Sequence, residues 1–341
     1  MSRVYYQLSL EERSVIFVGL RQGLSIRAVC GMLARSPSTV SREVRRNGTR
    51  WGFRYRVGFA QHMTRQRRRH RMTVFARHPD LWPLVVERLQ AGWSPQQISG
   101  RLKRMHPDDP ARQISHETIY AAIYAQPRGD LRTMLIKSLR QARKRRRPRS
   151  QGRDRRGGWP DMTPISARPE VVETRRTPGH WEGDLIIGKG QKSAVGTMVE
   201  RMSRYVILAQ VENRTAAIVR RGFTRQMRNV PPLLRQSITY DRGSEMAQHK
   251  QLEAALDLTV YFADPYSPWQ RGTNENTNGL VRQYLPKGSD LSGHSQDDLN
   301  AIAENLNSRP RKCLEFQTPS EVFEQIILKA ENTNPSVALH S

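Results

Sequence analysis

Three acidic residues stand at places where the chain turns. Asp184 closes the segment His180-Trp181-Glu182-Gly183-Asp184 and opens the apolar run Leu185-Ile186-Ile187. Asp241 follows Ser237-Ile238-Thr239-Tyr240 and precedes Arg242-Gly243-Ser244-Glu245. Glu275 lies within Gly272-Thr273-Asn274-Glu275-Asn276-Thr277-Asn278-Gly279, which reads as the start of a helix. Carboxylates brought together repel strongly unless cations neutralise them, and hard oxygen donors suit Mg²⁺ or Mn²⁺. Two such ions, about 3.5–4 Å apart, can activate an attacking hydroxyl and stabilise the leaving oxygen of a phosphodiester in one in-line displacement. Taken singly, each acid has a plainer role: an Asp at a strand end caps the turn, and Glu275 would be favoured by the helix macrodipole. Glu182 shares strand parity with Asp184, and Asp264 falls close to the same region; both read as structural supports. Gln270, Arg271, Asn274, Asn278 and Lys287 are expected to contact a substrate strand, although a solvated face accounts equally well for Lys287. Trp269 either stacks on DNA or fills the core.

The elements that must carry these residues form an α/β domain. Leu185-Ile186-Ile187, Thr197-Met198-Val199 and Tyr205-Val206-Ile207-Leu208 read as consecutive strands, followed by a helix from Ala216 to Met227. Ser237-Ile238-Thr239-Tyr240 is a fourth strand, and Val260-Tyr261-Phe262 a fifth after a helix around Leu252 to Leu256. A mixed five-stranded sheet is expected.

The other half of the chain is of a different kind. The 341 residues carry a formal net charge of +26, and 37% are hydrophobic, enough for at least one core. Residues 1–160 hold 35 Lys and Arg against 10 Asp and Glu, whereas residues 161–341 hold 22 against 21. So concentrated a positive charge calls for a polyanion, and nucleic acid is the obvious one. Within this half the chain resembles itself. Gly23-Leu24-Ser25-Ile26 to Leu33 aligns with Gly92-Trp93-Ser94-Pro95 to Leu102, and Ser36-Pro37-Ser38-Thr39-Val40 to Val44 with Ser115-His116-Glu117-Thr118-Ile119 to Ile123. Each copy reads as helix, connection, helix.

In the first copy Ser36 suits an N-cap and Pro37 the first helical position. Val40 and Val44 share one face, leaving Ser38, Thr39, Ser41, Arg42, Arg45 and Arg46 to face outward until Asn47-Gly48 stops the helix. Short polar and Arg side chains on the second helix of a helix-turn-helix are those that reach base edges and phosphates in the major groove. In the second copy the serines are 21 positions apart rather than 11, and its outward set of His116, Glu117, Tyr120 and Ala121 is less basic. Arg65 to Arg71 and Arg143 to Arg149 read as phosphate-tracking linkers that order on binding.

Cys30 and Cys313 are far apart and lack CxxC spacing, so neither a disulfide framework nor a zinc site is expected, and a reducing cytoplasm fits. No apolar run approaches the roughly 18 residues of a membrane span, and no signal-peptide pattern opens the chain.

The acids and their surroundings are similar to a known pattern. Asp184, Asp241 and Glu275, with 33 residues between the last two, resemble the DDE triad of transposases and retroviral-type integrases. Gly179-His180-Trp181-Glu182-Gly183-Asp184, the run from Tyr261 through Tyr266-Ser267-Pro268-Trp269-Gln270-Arg271-Gly272 to Asn276, and Asn307-Ser308-Arg309-Pro310-Arg311-Lys312 look like the IS-thirty family of bacterial insertion-sequence transposases. The likeness runs from about Tyr6 through Phe323. After Asp241 that family commonly has Asn-Gly and then Glu-Phe, where this chain has Arg242-Gly243 and Glu245-Met246.

The resemblance implies a multidomain protein: an all-α helix-turn-helix N-terminal region joined to an α/β ribonuclease-H-like catalytic domain. The expected divisions are a first helix-turn-helix at 1–60, a basic connector at 61–79, a second helix-turn-helix at 80–126, a basic linker at 127–170, an integrase-like domain at 171–330 and a tail at 331–341. It further implies Asp184, Asp241 and Glu275 as metal ligands for two Mg²⁺ or Mn²⁺ ions, no other cofactor, and double-stranded DNA as partner, both element inverted repeats and target. A homodimer or higher assembly on DNA, in a bacterial cytoplasm and at the nucleoid, completes the expectation. A repressor built on the same helix-turn-helix pair is the rival reading, and the intact triad argues against it.

If residues 1–160 supply the phosphate contacts, affinity for end DNA should fall steeply with salt, the log–log slope being about −0.9 per phosphate neutralised. Titrations at several salt concentrations measure it; a nearly flat dependence contradicts the charge assignment.

Overall fold

The computed structural model describes residues 7–48, 55–69, 73–139, 161–265 and 267–333. The Arg143 to Arg149 run, the end of the first basic run at His70 and Arg71, and Tyr266 lie outside the described residues, as do parts of the expected connector, linker and tail. Packing divides the chain into two units, Met1–Pro79 and Asp80–Ser341.

The first unit is helical: α1 (Leu10–Arg21), α2 (Ile26–Leu33), α3 (Pro37–Asn47), α4 (Val57–Arg69) and α5 (Val74–Arg77). Ser9 opens α1 through a reciprocal capping box with Glu12. Ser25 accepts the Ala28 N–H at the start of α2. Ile16, Val29, Val40 and Ala60 close one apolar core. Beside that core Arg13, 4% exposed, pairs with Glu43 at 2.7 Å and donates to the Leu8 carbonyl and the Gln61 side chain, tying α1, α3 and α4 together. Ser36 occupies the N-cap of α3, but its hydroxyl bonds those of Ser38 and Thr39 rather than a backbone N–H. The first basic run, read as a linker, continues α4 as helix as far as Arg69.

The second unit begins with α6 (Leu81–Gln90), α7 (Pro95–Met105), α8 (His116–Ala125) and α9 (Asp130–Ser138). Ser94 and Gln97 form a capping box at α7, and Ser115 caps α8. A six-stranded sheet follows, with β1 (Thr163–Pro164), β2 (His180–Ile187), β3 (Ala194–Glu200), β4 (Val206–Val211), β5 (Ser237–Tyr240) and β6 (Thr259–Phe262) in the order β1-β6-β5-β2-β3-β4. The strands β2, β3 and β4 pair antiparallel, whereas β2, β5, β6 and β1 pair parallel. Five strands were expected, and β1 is the sixth: two residues including a proline, held at the edge, where no ladder donor is missed.

The helices α10 (Ala216–Met227), α11 (His249–Leu256) and α14 (Pro319–Thr333) cover one face of this sheet. The other is covered by α12 (Gly272–Val281) and α13 (Gln296–Asn307). Because both faces are covered, all seven residues of β3 are buried and no polar alternation survives there. Parity still sorts the side chains of β2. Trp181 and Leu185 join the core under α10 and α14, and Ile186 joins the one under α12 and α13. Glu182 and Asp184, of the same parity as Ile186, therefore face α12.

The helix α7 packs directly onto the segment before and within α14. Gln97 Nε2 donates to the Pro310 carbonyl at 2.7 Å, and Arg101 makes a bidentate pair with Glu321. The Phe316 ring lies where a Cβ on Gly100 would stand. Gly100→Val should overpack this junction and cost about 1–3 kcal/mol, read as a lower unfolding midpoint. An unchanged midpoint would show that the ring has room to withdraw.

Candidate active site

The parallel register sets the site. His180 pairs with Ser237, Trp181 with Ile238 and Glu182 with Thr239. Carried two residues further, the same register places Asp184 of β2 beside Asp241, the residue that follows β5. Gly183 between the two acids of β2 has the Tyr240 ring at 2.7 Å from where its Cβ would stand, so a side chain there would push the two strands apart.

One cation joins the two aspartates. Arg271, at the N-cap of α12, places Nη1 3.7 Å from Asp184 Oδ1 and Nη2 3.3 Å from Asp241 Oδ2. Its Nη1 also donates to the Gly183 carbonyl at 3.0 Å, and its guanidinium lies 6.0 Å from the centre of the Tyr240 ring. Asn278, on the next turn of α12, donates Nδ2 to Asp184 Oδ2 at 2.9 Å. Its Oδ1 is buried without a hydrogen-bond partner in the structure. The Leu185 backbone N–H also donates to Asp184 Oδ1, and the Gly243 N–H donates to Asp241 Oδ1. Burial lifts the Asp184 carboxyl above the ordinary carboxylate range; Arg271 works against this, and the charges of Asp241 and Glu245 add to it.

Glu275 is exposed on the first turn of α12, between Arg271 and Asn278 in sequence. Residues four before and three after share a helix face, so it stands on the stripe that carries both partners of the aspartates. The structure thus brings Asp184 and Asp241 together and stands Glu275 on the helix that carries their partners. Among the described residues, no three His, Cys, Asp or Glu side chains are gathered closely enough to hold a metal. The donor set nevertheless fits a hard divalent cation: two carboxylates already drawn onto one positive charge, and an amide oxygen with no partner.

Other expected contact residues are placed differently. Asn274, expected on the DNA surface, is fully buried. Its Nδ2 donates to the Glu182 carbonyl and its backbone N–H to the Glu182 carboxylate. Gln270 spends its amide on Asp264, accepting from its N–H and donating to its carboxylate. Lys287 is exposed. Trp269 is 70% exposed on the turn before α12, so it does not fill the core. His180 packs against Ser237 at 2.8 Å, and burial together with Arg201 and Arg168 pushes it down to about 4, which leaves it neutral. Two residues not singled out from sequence belong to the surroundings: Glu245, buried and electrostatically coupled to Asp184, and Arg201, paired with Glu182. Their signal was weak because neither the turn after Asp241 nor the end of β3 marks a side chain as inward.

On α3, Ser38, Ser41, Arg42, Arg45 and Arg46 are exposed and Thr39 is half-buried, while Val40 is fully buried. On α8, Glu117 is exposed and His116 and Tyr120 are half-buried, His116 standing 3.4 Å from Glu117. Cys30 and Cys313 are both free thiols. No helix among the described residues is long and apolar enough to cross a membrane.

Residues 5–47 match the family model described as a helix-turn-helix domain, and residues 174–268 match that of an integrase core domain. Asp184 and Asp241 fall inside the second match and Glu275 beyond it. The chain is 52% identical over 333 residues to the transposase for insertion sequence element IS1086 of Cupriavidus metallidurans, covering 97% of this chain and 98% of that one. It is 41% identical over 326 residues to transposase InsI for IS30A of Escherichia coli, covering 95% and 85%. To the transposase for IS4351 of Bacteroides fragilis it is 36% identical over 319 residues, covering 93% and 95%.

The raised Asp184 carboxyl has a consequence for stability. Between its ordinary value and its raised value the folded state binds the proton more tightly than the unfolded state, so stability falls as pH climbs through that window and stays lower above it. Asp184→Asn removes this penalty. Without divalent cations the variant should melt higher than the parent at neutral pH, with the gap closing at pH values below the ordinary carboxylate range. Melting curves across pH check this; a variant that melts lower at neutral pH contradicts it.

Proposed function

Because the chain belongs to the family of insertion-sequence transposases of the IS30 type, we propose that Asp184, Asp241 and Glu275 are the catalytic carboxylates of its DNA cleavage and strand-transfer reactions. The observation that carries this reading is the guanidinium of Arg271, which stands between Asp184 and Asp241 as a cation shared by both. Dependence on divalent metal goes with integrase-core transposases. Two Mg²⁺ or Mn²⁺ ions on these three acids would neutralise the phosphodiester and help form the attacking oxyanion.

The chain's own groups then have distinct tasks. Asn278 holds Asp184 by one oxygen and keeps its orientation. With cations on the carboxylates, the guanidinium of Arg271 would be free to take a DNA phosphate through its bidentate fork. Trp269 offers an exposed ring beside it on which a base can stack. In the first displacement a water oxygen bonds to phosphorus as the P–O3′ bond breaks, freeing a 3′-hydroxyl at the element end. In the second, that hydroxyl attacks a target phosphorus and the target P–O3′ bond breaks.

The helix-turn-helix units find the terminal inverted repeats. Ser38, Thr39, Ser41, Arg42, Arg45 and Arg46 on α3 read or grip the groove, and His116, Glu117 and Tyr120 on α8 contribute a less basic surface. Cutting two element ends calls for at least two copies of the chain on the DNA.

Replacing Asp184, Asp241 or Glu275 singly by Ala should abolish Mg²⁺-dependent nicking of labelled end DNA while gel-shift binding to the same fragment persists. A variant that still nicks at the parental rate removes that residue from the triad.

A further inference from the structure

We infer that Glu182 is a positioning residue: its buried carboxylate clamps the first turn of α12 and so sets Glu275 relative to Asp184. This rests on the triad reading above.

Glu182 is 0% exposed, and a carboxylate withdrawn from water must be compensated at both oxygens. Oε1 accepts from Arg201 Nη1 at 2.7 Å, and Arg201 is itself 1% exposed. Oε2 accepts the backbone N–H of Asn274 at 2.8 Å. That N–H is one of the donors left over at a helix start, and α12 has no side-chain cap of its own. The capping group is delivered from β2 instead, with its negative charge at the positive end of the helix. Asn274 reciprocates, donating Nδ2 to the Glu182 carbonyl at 2.7 Å, while Thr197 of β3 donates to Asn274 Oδ1 at 3.3 Å.

The residue thus held immediately precedes Glu275. Glu182 and Asp184 lie two positions apart on one face of β2, about 7 Å along the strand. The first carboxylate and the clamp on the third therefore share one short rigid element. A buried ion pair needed only for folding would not have to reach α12 at all. Glu200 on β3 serves as that comparison: it is equally buried, and its Oε2 is bound locally by the Ser203 N–H and hydroxyl.

The test is direct Mn²⁺ binding to the full-length protein without DNA, read from the electron paramagnetic resonance of free Mn²⁺, with melting curves alongside. Glu182→Gln should weaken binding on the order of 10- to 100-fold, the range usual for groups that orient metal ligands. Glu200→Gln should leave Mn²⁺ affinity unchanged. If Glu182→Gln does not fold, Asn274→Ala decides, since it removes the reciprocal bonds without touching the buried charges, and it should weaken Mn²⁺ in the same direction. Unchanged affinity in the folded variant, or equal losses in Glu182→Gln and Glu200→Gln, overturns the inference. Glu275→Gln separates the two layers. If it too binds Mn²⁺ normally, the triad reading has failed; if it binds weakly while Glu182→Gln binds normally, only the clamp has failed.

Discussion

Two carboxylates set side by side by strand register cannot both stay charged in a partly dry site without a cation between them. Asp184 and Asp241 meet that condition because β2 and β5 run parallel in a register that makes them neighbours. The protein answers with Arg271, at the cost of tying up a side chain suited to phosphate.

The interior beneath the site is organised to the same end. Glu182, Arg201, Arg168 and Glu173 form a compact set of opposed charges that is buried at all but Glu173. From it hydrogen bonds lead to Thr239 on β5 and to the first turn of α12. Arg204 adds a bond to Thr273 on the same turn. Sheet and helix are therefore joined by directional contacts, where apolar packing alone would allow the helix to slide by a fraction of an ångström.

The two similar helical segments of the N-terminal half have been put to different structural use. In the first, the hairpin closes its own core around Ile16, Val29 and Val40, with Arg13 and Glu43 as its polar bolt. In the second, α7 turns a face to the segment leading into α14, where Gln97 and Arg101 find partners and Gly100 makes room for Phe316. The extra residues between its serines hold a short turn around Pro110 and not another helix of the bundle.

Local sequence determined a good deal of this. The alternation of apolar runs marked five of the six strands and the bounds of α10, and the Ser-Pro opening marked α3, because capping and periodicity act over a few residues. Strand parity already placed Glu182 and Asp184 on one face. Only the folded chain could decide the rest. Register between β2 and β5 is a long-range choice, so the neighbourhood of Asp184 and Asp241 had no local signature. The two-residue β1 is too short to carry a period and exists only because β6 offers it an edge. Asn274 looked like a surface contact because polar residues usually are, yet the helix it opens needed an internal donor to meet Glu182. A motif records which residue types recur, whereas burial, which turns an amide from a DNA contact into a clamp, is a property of everything packed around it.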